Sequence, residues 1–260
     1  MTVQQNNEPS REASLRLRSV TSVLLLLAIW EAAARAHFAP PILLPPFSAA
    51  AAELGRVIAD GTLPGDLILS LYRAFVGVAL AGTAGIFIGI LMTRSRAVHW
   101  LMDPLVALGF PSPKITFLPV FILWFGIESL SKILLVAFAC VLPIIIGTFS
   151  AARSVSRVLL WSAASLGTNR QALLFRVVLP ACYPRIFATL RIALPVALIT
   201  TFTAEMVAGG GGMGATLVYS QRFFESPTVF AYILAMLGIG LILDAAVRTF
   251  QRRYLAWAEE

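Results

Sequence analysis

Arg73, Lys114 and Glu205 are ionisable side chains that fall inside strongly apolar stretches of this 260-residue chain. A charge at the centre of a bilayer costs about 2.5–3.5 kcal/mol on insertion scales, so each must face protein or water and is a candidate for function. Arg73 lies near one end of the stretch 67–92, and Glu205 near the end of 186–208. With spans alternating in direction, the two share a depth, which predicts that they pair directly or through a water. Lys114 sits near the middle of 101–125, which also holds Pro104, Pro111, Pro113 and Pro119. Each proline removes a backbone hydrogen bond, and a broken helix survives in lipid only where protein or a water-filled cavity covers it. A kinked, buried helix beside a pathway is therefore expected there. Lys114 would either lend positive charge to a path for anions or bond carbonyls freed by the prolines.

Other chemistry finds little to work with. His37 and His99 are isolated, Cys140 lies in an apolar run and Cys182 in a basic interval, which argues against a metal site or a disulfide framework. Gly209, Gly211 and Gly214 formally satisfy GxGxxG, but no strand precedes them as a dinucleotide site requires, so a flexible turn is expected. Ser129 and Lys132 formally satisfy SxxK without the companion motifs of that serine-enzyme class, and read as a short loop. No GxxxxGK[ST] phosphate cradle occurs. The chain is expected to hold no cofactor and no catalytic residue, and any ATP hydrolysis must sit on another polypeptide.

Composition sets the environment. The chain is 58% hydrophobic and 13% charged, against about 25% charged for a soluble domain. A helical span needs roughly 20 apolar residues, and six segments qualify: 20–36, 67–92, 101–125, 133–149, 186–208 and 229–247. The expected fold is an all-α polytopic membrane protein. The first segment also fits a secretory signal, with Ala34-Arg35-Ala36 as a cleavage site; Glu31 falls where a signal stays uncharged, which favours an uncleaved span. Pro40, Pro41, Pro45 and Pro46 follow, and 47–59 reads as an interfacial helix inside an external segment, 37–66. Fourteen arginines lie on one side of the spans, while Arg35, Arg56, Lys132 and Arg222 lie on the other. That asymmetry places the N- and C-termini in the cytoplasm, with a disordered tail over 1–19, a core over 67–253 and a short tail over 254–260. The net charge of +7 follows this orientation pattern rather than a nucleic-acid face.

Two patterns concern packing. Gly77, Ala81, Gly85 and Gly89 are each four apart, so one helix face lets another backbone approach closely; packing within one subunit is the first reading and a subunit contact the second. Asp244 and Arg248, also four apart, read as a helix-end pair.

The longest polar interval, 150–185, is a compact basic hairpin between two spans. Val158, Leu159, Ser162, Ala163 and Leu166 share one face of a first helix, and Gly167 is a natural stop. Thr168 with Gln171 forms a capping-box pattern for a second helix, whose apolar face is Leu173, Leu174, Val177 and Val178 and which Leu179-Pro180 should end. Ser162-Ala163-Ala164-Ser165 carries little bulk, so a partner's surface can come close.

At these residues the chain resembles the membrane subunit of a binding-protein-dependent ABC importer, with its cytoplasmic EAA loop: Glu-Ala-Ala, a glycine four residues on, then nine residues to Ile-x-Leu-Pro. Ala163, Gly167, Val177, Leu179 and Pro180 match, while Trp161 stands at the glutamate position and Ser162 at the first alanine. LLPPFSAAAAEL (43–54), LPVFILWFGIESLSKILL (118–135), AEMVAGGGGMG (204–214) and SQRFF (220–224) are similar to its nitrate, sulfonate, taurine and bicarbonate branch. The resemblance implies a permease subunit in a bacterial plasma (inner) membrane, paired with a second permease copy. It also implies two cytoplasmic ATPase subunits that carry ATP and Mg and dock on Trp161 to Thr168, with Leu179 and Pro180 setting the hairpin's end. An external solute-binding protein would deliver a small solute, such as one of those anions, to a path lined mainly by the third and fifth spans. The rival from another class, an ion-coupled secondary carrier, calls for an internal repeat and midplane carboxylates, neither of which is seen.

Overall fold

The structure is a computed structural model that describes residues 8–254, and among them all regular structure is helical. Helices α1 (Glu8–Arg35), α2 (Phe47–Ala59), α3 (Thr62–Arg94) and α4 (Arg96–Gly109) come first. Helices α5 (Leu118–Phe125), α6 (Ser129–Arg153) and α7 (Arg157–Ser165) follow. The rest are α8 (Arg170–Leu173), a π-helical turn over Leu174–Val178, α9 (Leu179–Ala208), α10 (Met213–Arg222) and α11 (Ser226–Tyr254). The tails 1–7 and 255–260 lie outside the described residues, whereas 8–19, expected to be disordered, continue α1.

The centre is a three-helix packing of α3, α6 and α9. Lipid tails are as apolar as leucine, so helices in a bilayer associate by close van der Waals contact rather than by escape from water. The small-residue stripe supplies that contact within the subunit. A Cβ on Gly77 would meet Val136 Cγ1 at 2.5 Å, one on Gly85 Ile144 Cγ2 at 2.8 Å and one on Gly89 Thr148 Cβ at 2.8 Å. Ala81 is buried in the same seam with Val136, Cys140, Ile144, Ala193 and Ala197. A second cluster joins α2 and α3 to α10 and α11 through Val57, Leu63, Met213, Leu217 and Tyr232.

The interfacial helix has the expected bounds. Pro46 gives it no side-chain cap; instead Glu31 of α1 accepts from Ser48 N at 3.0 Å and from the Ser48 hydroxyl at 2.9 Å. Negative charge belongs at a helix N-terminus, so Glu31 has a structural use at the end of the first apolar segment. On α2, the hydrogen bond from Arg56 holds the Glu53 carboxyl below the usual carboxylate range against the cost of burial, and the Thr228 hydroxyl of α11 adds to it.

Three expectations are corrected. Four helices among the described residues are long and apolar enough to cross a membrane, or five if α4 and α5 count as one bent span, rather than six; α1, which holds all but the last residue of the short segment 20–36, is not among them. The segment 101–125 is two helices bent by 100°, and within one chain it is largely exposed, with only Leu118 buried. Pro119 starts α5, where a missing N–H costs nothing, so the break lies at Pro111 and Pro113.

The hairpin also departs from expectation at its second arm. Leu179 and Pro180 do not end the helix: Gln171–Ala208 is one helical rod of 38 residues. A proline inside an α-helix would clash with the carbonyl four residues earlier. Here the π-helical turn at Leu174–Val178 widens the turn that faces Pro180, as π-bulges do. Nor does Thr168 cap the second arm. Thr168 N bonds Ala163 O at 3.2 Å and Gly167 N bonds Ala164 O at 3.0 Å, a Schellman closure of α7 with Gly167 at φ 81°. The cap moves on to Asn169, whose Oδ1 accepts from Ala172 N at 2.7 Å.

Two outcomes are expected. Gly85→Val and Gly89→Val each lower the stability of the purified protein by about 1–3 kcal/mol through overpacking, while Gly55→Ala, with open space around it, does not; thermal unfolding in detergent measures this. Glu53→Gln is less stable than wild type at neutral pH, and the gap closes as pH falls through the lowered folded-state pKa of Glu53, because a depressed carboxyl stabilises only while ionised.

Candidate functional site

At one pole α3, α6, α9 and the loop before α10 converge on buried charge. Arg73 and Glu205, 1% and 0% exposed, form an ion pair at 2.8 Å, so the pairing expected from their shared depth is direct. Four of the five guanidinium N–H groups are engaged: Nη1 also donates to Gly211 O at 2.7 Å, Nη2 to Gly210 O at 2.8 Å and Nε to Ser129 Oγ at 3.1 Å. Glu205 accepts from the Ser70 hydroxyl at 2.8 Å and from Gly214 N at 3.1 Å, and Ser70 Oγ in turn accepts from Met213 N at 2.9 Å. A buried ion pair is tolerable only when its remaining donors and acceptors are satisfied in this way.

The glycine loop 209–212 is therefore not a free turn. All four glycines have φ between 68° and 97°, a region that L side chains rarely adopt. Their conformation turns two carbonyls toward Arg73. On Gly212 a Cβ would sit 2.3 Å from Glu205 Oε1, so only glycine fits against the carboxylate.

Sequence reasoning missed two charged participants. Lys132, placed in a loop, is on α6 and 0% exposed; its Nζ donates to Ile127 O at 2.6 Å. Asp66 accepts from Thr216 at 2.6 Å, Tyr232 at 2.8 Å and Gly212 N at 3.3 Å. A signal existed for part of this: Asp66, Ser70 and Arg73 at i, i+4 and i+7 share one helix face. Beside the loop opens a cavity of about 390 Å³ whose lining includes Glu205, Gly210, Thr216, Tyr219 and Arg222.

The other candidates lie elsewhere. Lys114 Nζ donates to the Phe110 carbonyl at the bend and lies 5.7 Å from the Phe110 ring, so it meets the backbone at the break rather than the buried cluster. At the opposite pole α7 stands out from the bundle. Trp161 is 65% and Leu166 86% exposed; Ser162, Ala164, Ser165 and Gly167 are exposed too, while Ala163 and Thr168 are partly covered. Leu179 and Pro180 are half-buried in the rod. Near that pole Asp244 pairs with Arg248 as expected and also with Arg191 at 3.5 Å.

Residues 82–256, about two-thirds of the chain, match the family described as the binding-protein-dependent transport system inner membrane component. The chain belongs to this family. It is 32% identical to the taurine transport system permease protein TauC of Escherichia coli K12, over 96% of this chain and 92% of that one. It is 30% identical to the putative aliphatic sulfonates transport permease protein SsuC of Bacillus subtilis 168, over 96% and 91%. Among solved structures, an inward-facing form of the MetNI methionine ABC transporter matches with TM-score 0.64 at 15% identity, over 74% of this chain and 94% of that one. An amino acid ABC transporter matches with TM-score 0.63 at 16%, over 77% and 97%. The fold is thus that of ABC importer permeases, and this chain is the permease subunit of an ABC importer.

For this permease, Arg73→Ala and Glu205→Ala should each cost about 3–5 kcal/mol by leaving a buried charge unpaired. The double variant should cost clearly less than their sum. Additive losses in a thermal-unfolding cycle would show that the two side chains do not depend on one another.

Proposed function

We propose that this permease conducts a small anion of the sulfonate class, that an external binding protein delivers it, and that ATPase subunits gripping α7 drive the cycle. The observation carrying the coupling part is the exposure of Trp161 and Leu166 on a helix rigidly closed at both ends of its turn. An apolar helix left uncovered at the basic end of a membrane protein needs a partner. The concentration of arginine at that pole is the basis for assigning it to the cytoplasm of a bacterial inner membrane. ATP and Mg would be held by the ATPase partner, since this chain has no phosphate cradle.

The continuous rod gives coupling a mechanical route. It spans about 57 Å at 1.5 Å per residue over 38 residues, with α7 packed at its start and Glu205 close to its end. A push on α7 would reach the Arg73–Glu205 clamp along one continuous helix. The solute class rests on the taurine and sulfonate relatives and on local charge: Arg73, Lys132 and Arg222 outnumber Glu205 and Asp66 around the loop and its cavity. A second copy is expected because the irregular backbone at 110–113, where α4 bends toward α5, is largely exposed in one chain and must be covered at membrane depth.

Ser162→Cys should cross-link to the nucleotide-binding subunit in membranes; Cys140 and Cys182 are buried and should not. Trp161→Ala with Leu166→Ala should reduce transport-coupled ATP hydrolysis by about tenfold or more, as loss of interface hot spots does, while the permease stays folded. In proteoliposomes, uptake of an aliphatic sulfonate should require the binding protein and ATP. Uptake that persists without nucleotide would overturn the reading in favour of an ion-coupled carrier.

A further inference from the structure

A second concentration of positive charge, at the hairpin pole, takes no part in the clamp. A cavity of about 450 Å³ lies between the end of α3, the start of α4 and the end of α6, and its lining includes Thr93, Arg94, Arg96, His99, Phe149 and Arg153. No carboxylate lines it, and none of the three arginines forms an ion pair among the described residues. The wall is organised rather than loose. His99 stacks on Phe149 with ring centroids 4.9 Å apart, and the Arg153 guanidinium lies over the Phe149 ring at 5.5 Å. His99 Nδ1 is buried and has no hydrogen-bond partner.

An adjoining cavity of about 870 Å³ shares Arg96 and His99 and is otherwise mostly apolar, with Trp100, Leu101, Pro104 and Leu105; Asp103 is its one carboxylate. Arg94 and Arg153 are the last residues of the spans α3 and α6, the depth of a leaflet's headgroups. Trp100 is exposed, as aromatic residues at that level often are. A basic pocket joined to an apolar one at headgroup depth suits an amphiphile better than a free ion.

We propose that this pair of cavities binds an anionic phospholipid, with its phosphate among Arg94, Arg96 and Arg153 and an acyl chain along Trp100, Leu101 and Leu105. Guanidinium groups match phosphate oxygens in charge and planar geometry, and basic pockets between spans on the arginine-rich side are suited to lipid head groups. The bound lipid would sit one short turn from α7, since Arg153 leads through Ser154 to Ser156 into that helix.

The test uses the full chain in nanodiscs of phosphatidylcholine with a minor share of phosphatidylglycerol, followed by native mass spectrometry of retained lipid. Wild type should retain phosphatidylglycerol over phosphatidylcholine by about tenfold or more. Arg94→Gln/Arg96→Gln/Arg153→Gln should lose that preference, and Arg176→Gln/Arg252→Gln/Arg253→Gln, which removes equal charge elsewhere, should keep it. Equal retention by wild type and the first variant, or equal loss in both variants, overturns the proposal. Millimolar inorganic phosphate should leave the lipid in place; phosphate that binds with the same arginine dependence while no lipid is enriched also overturns it. Should the first variant not fold, a diazirine-bearing phosphatidylglycerol decides on wild type alone. Labelling concentrated on 92–105 and competed by unlabelled phosphatidylglycerol supports the site, and even labelling of all exposed helices rejects it.

Discussion

A guanidinium sealed from solvent has five N–H donors, and in this permease Arg73 places four of them on three separate pieces of chain. Its bonds to Glu205 on α9, Ser129 on α6 and the carbonyls of Gly210 and Gly211 tie the central helices and the glycine loop into one unit. Glu205 carries the same constraint onward to Gly214 and Ser70, and so fixes where α10 begins. Removing either partner leaves a buried charge unpaired, at a cost of about 3–5 kcal/mol. The cluster therefore acts as a single latch rather than as a set of independent bonds.

What the latch holds is one end of a rod. Because α9 joins the second arm of the hairpin without a break, the part of the molecule that protrudes from the bundle and the part that buries charge belong to one helix. The π-helical turn before Pro180 allows this continuity. Had the prolines at 180 and 184 ended the helix, motion of α7 would dissipate in a loop. Close packing of α6 onto the glycine face of α3 gives the rod a stiff surface to move against.

The two poles divide the labour chemically. The glycine-loop pole buries its charges in compensated pairs and bonds, beside a cavity that reaches Glu205 and Arg222. The hairpin pole instead leaves arginines without carboxylate partners around an open, aromatic-walled cavity. The first arrangement closes on itself, and the second leaves cationic groups facing a cavity.

Elements set by local pattern were legible in the residues alone. The apolar stretches, the bounds of α2, the close-packing face at Gly77 to Gly89 and the stop at Gly167 all follow from periodicity, capping chemistry and the missing Cβ of glycine. The depth argument also paired Arg73 with Glu205 across 132 positions, since few places in a bilayer can take a lone charge. Tertiary structure decided the rest. Lys132 reads as a loop residue until α6 and the glycine loop close over it. Asp66 reads as solvated until Thr216 and Tyr232 reach it from distant segments. Pro180 ends a helix by its own chemistry, and only the neighbouring π-helical turn lets the chain run on. Sequence reports what each residue prefers with its near neighbours; which distant groups desolvate a charge or relieve a clash depends on packing, and that exists only once the chain has folded.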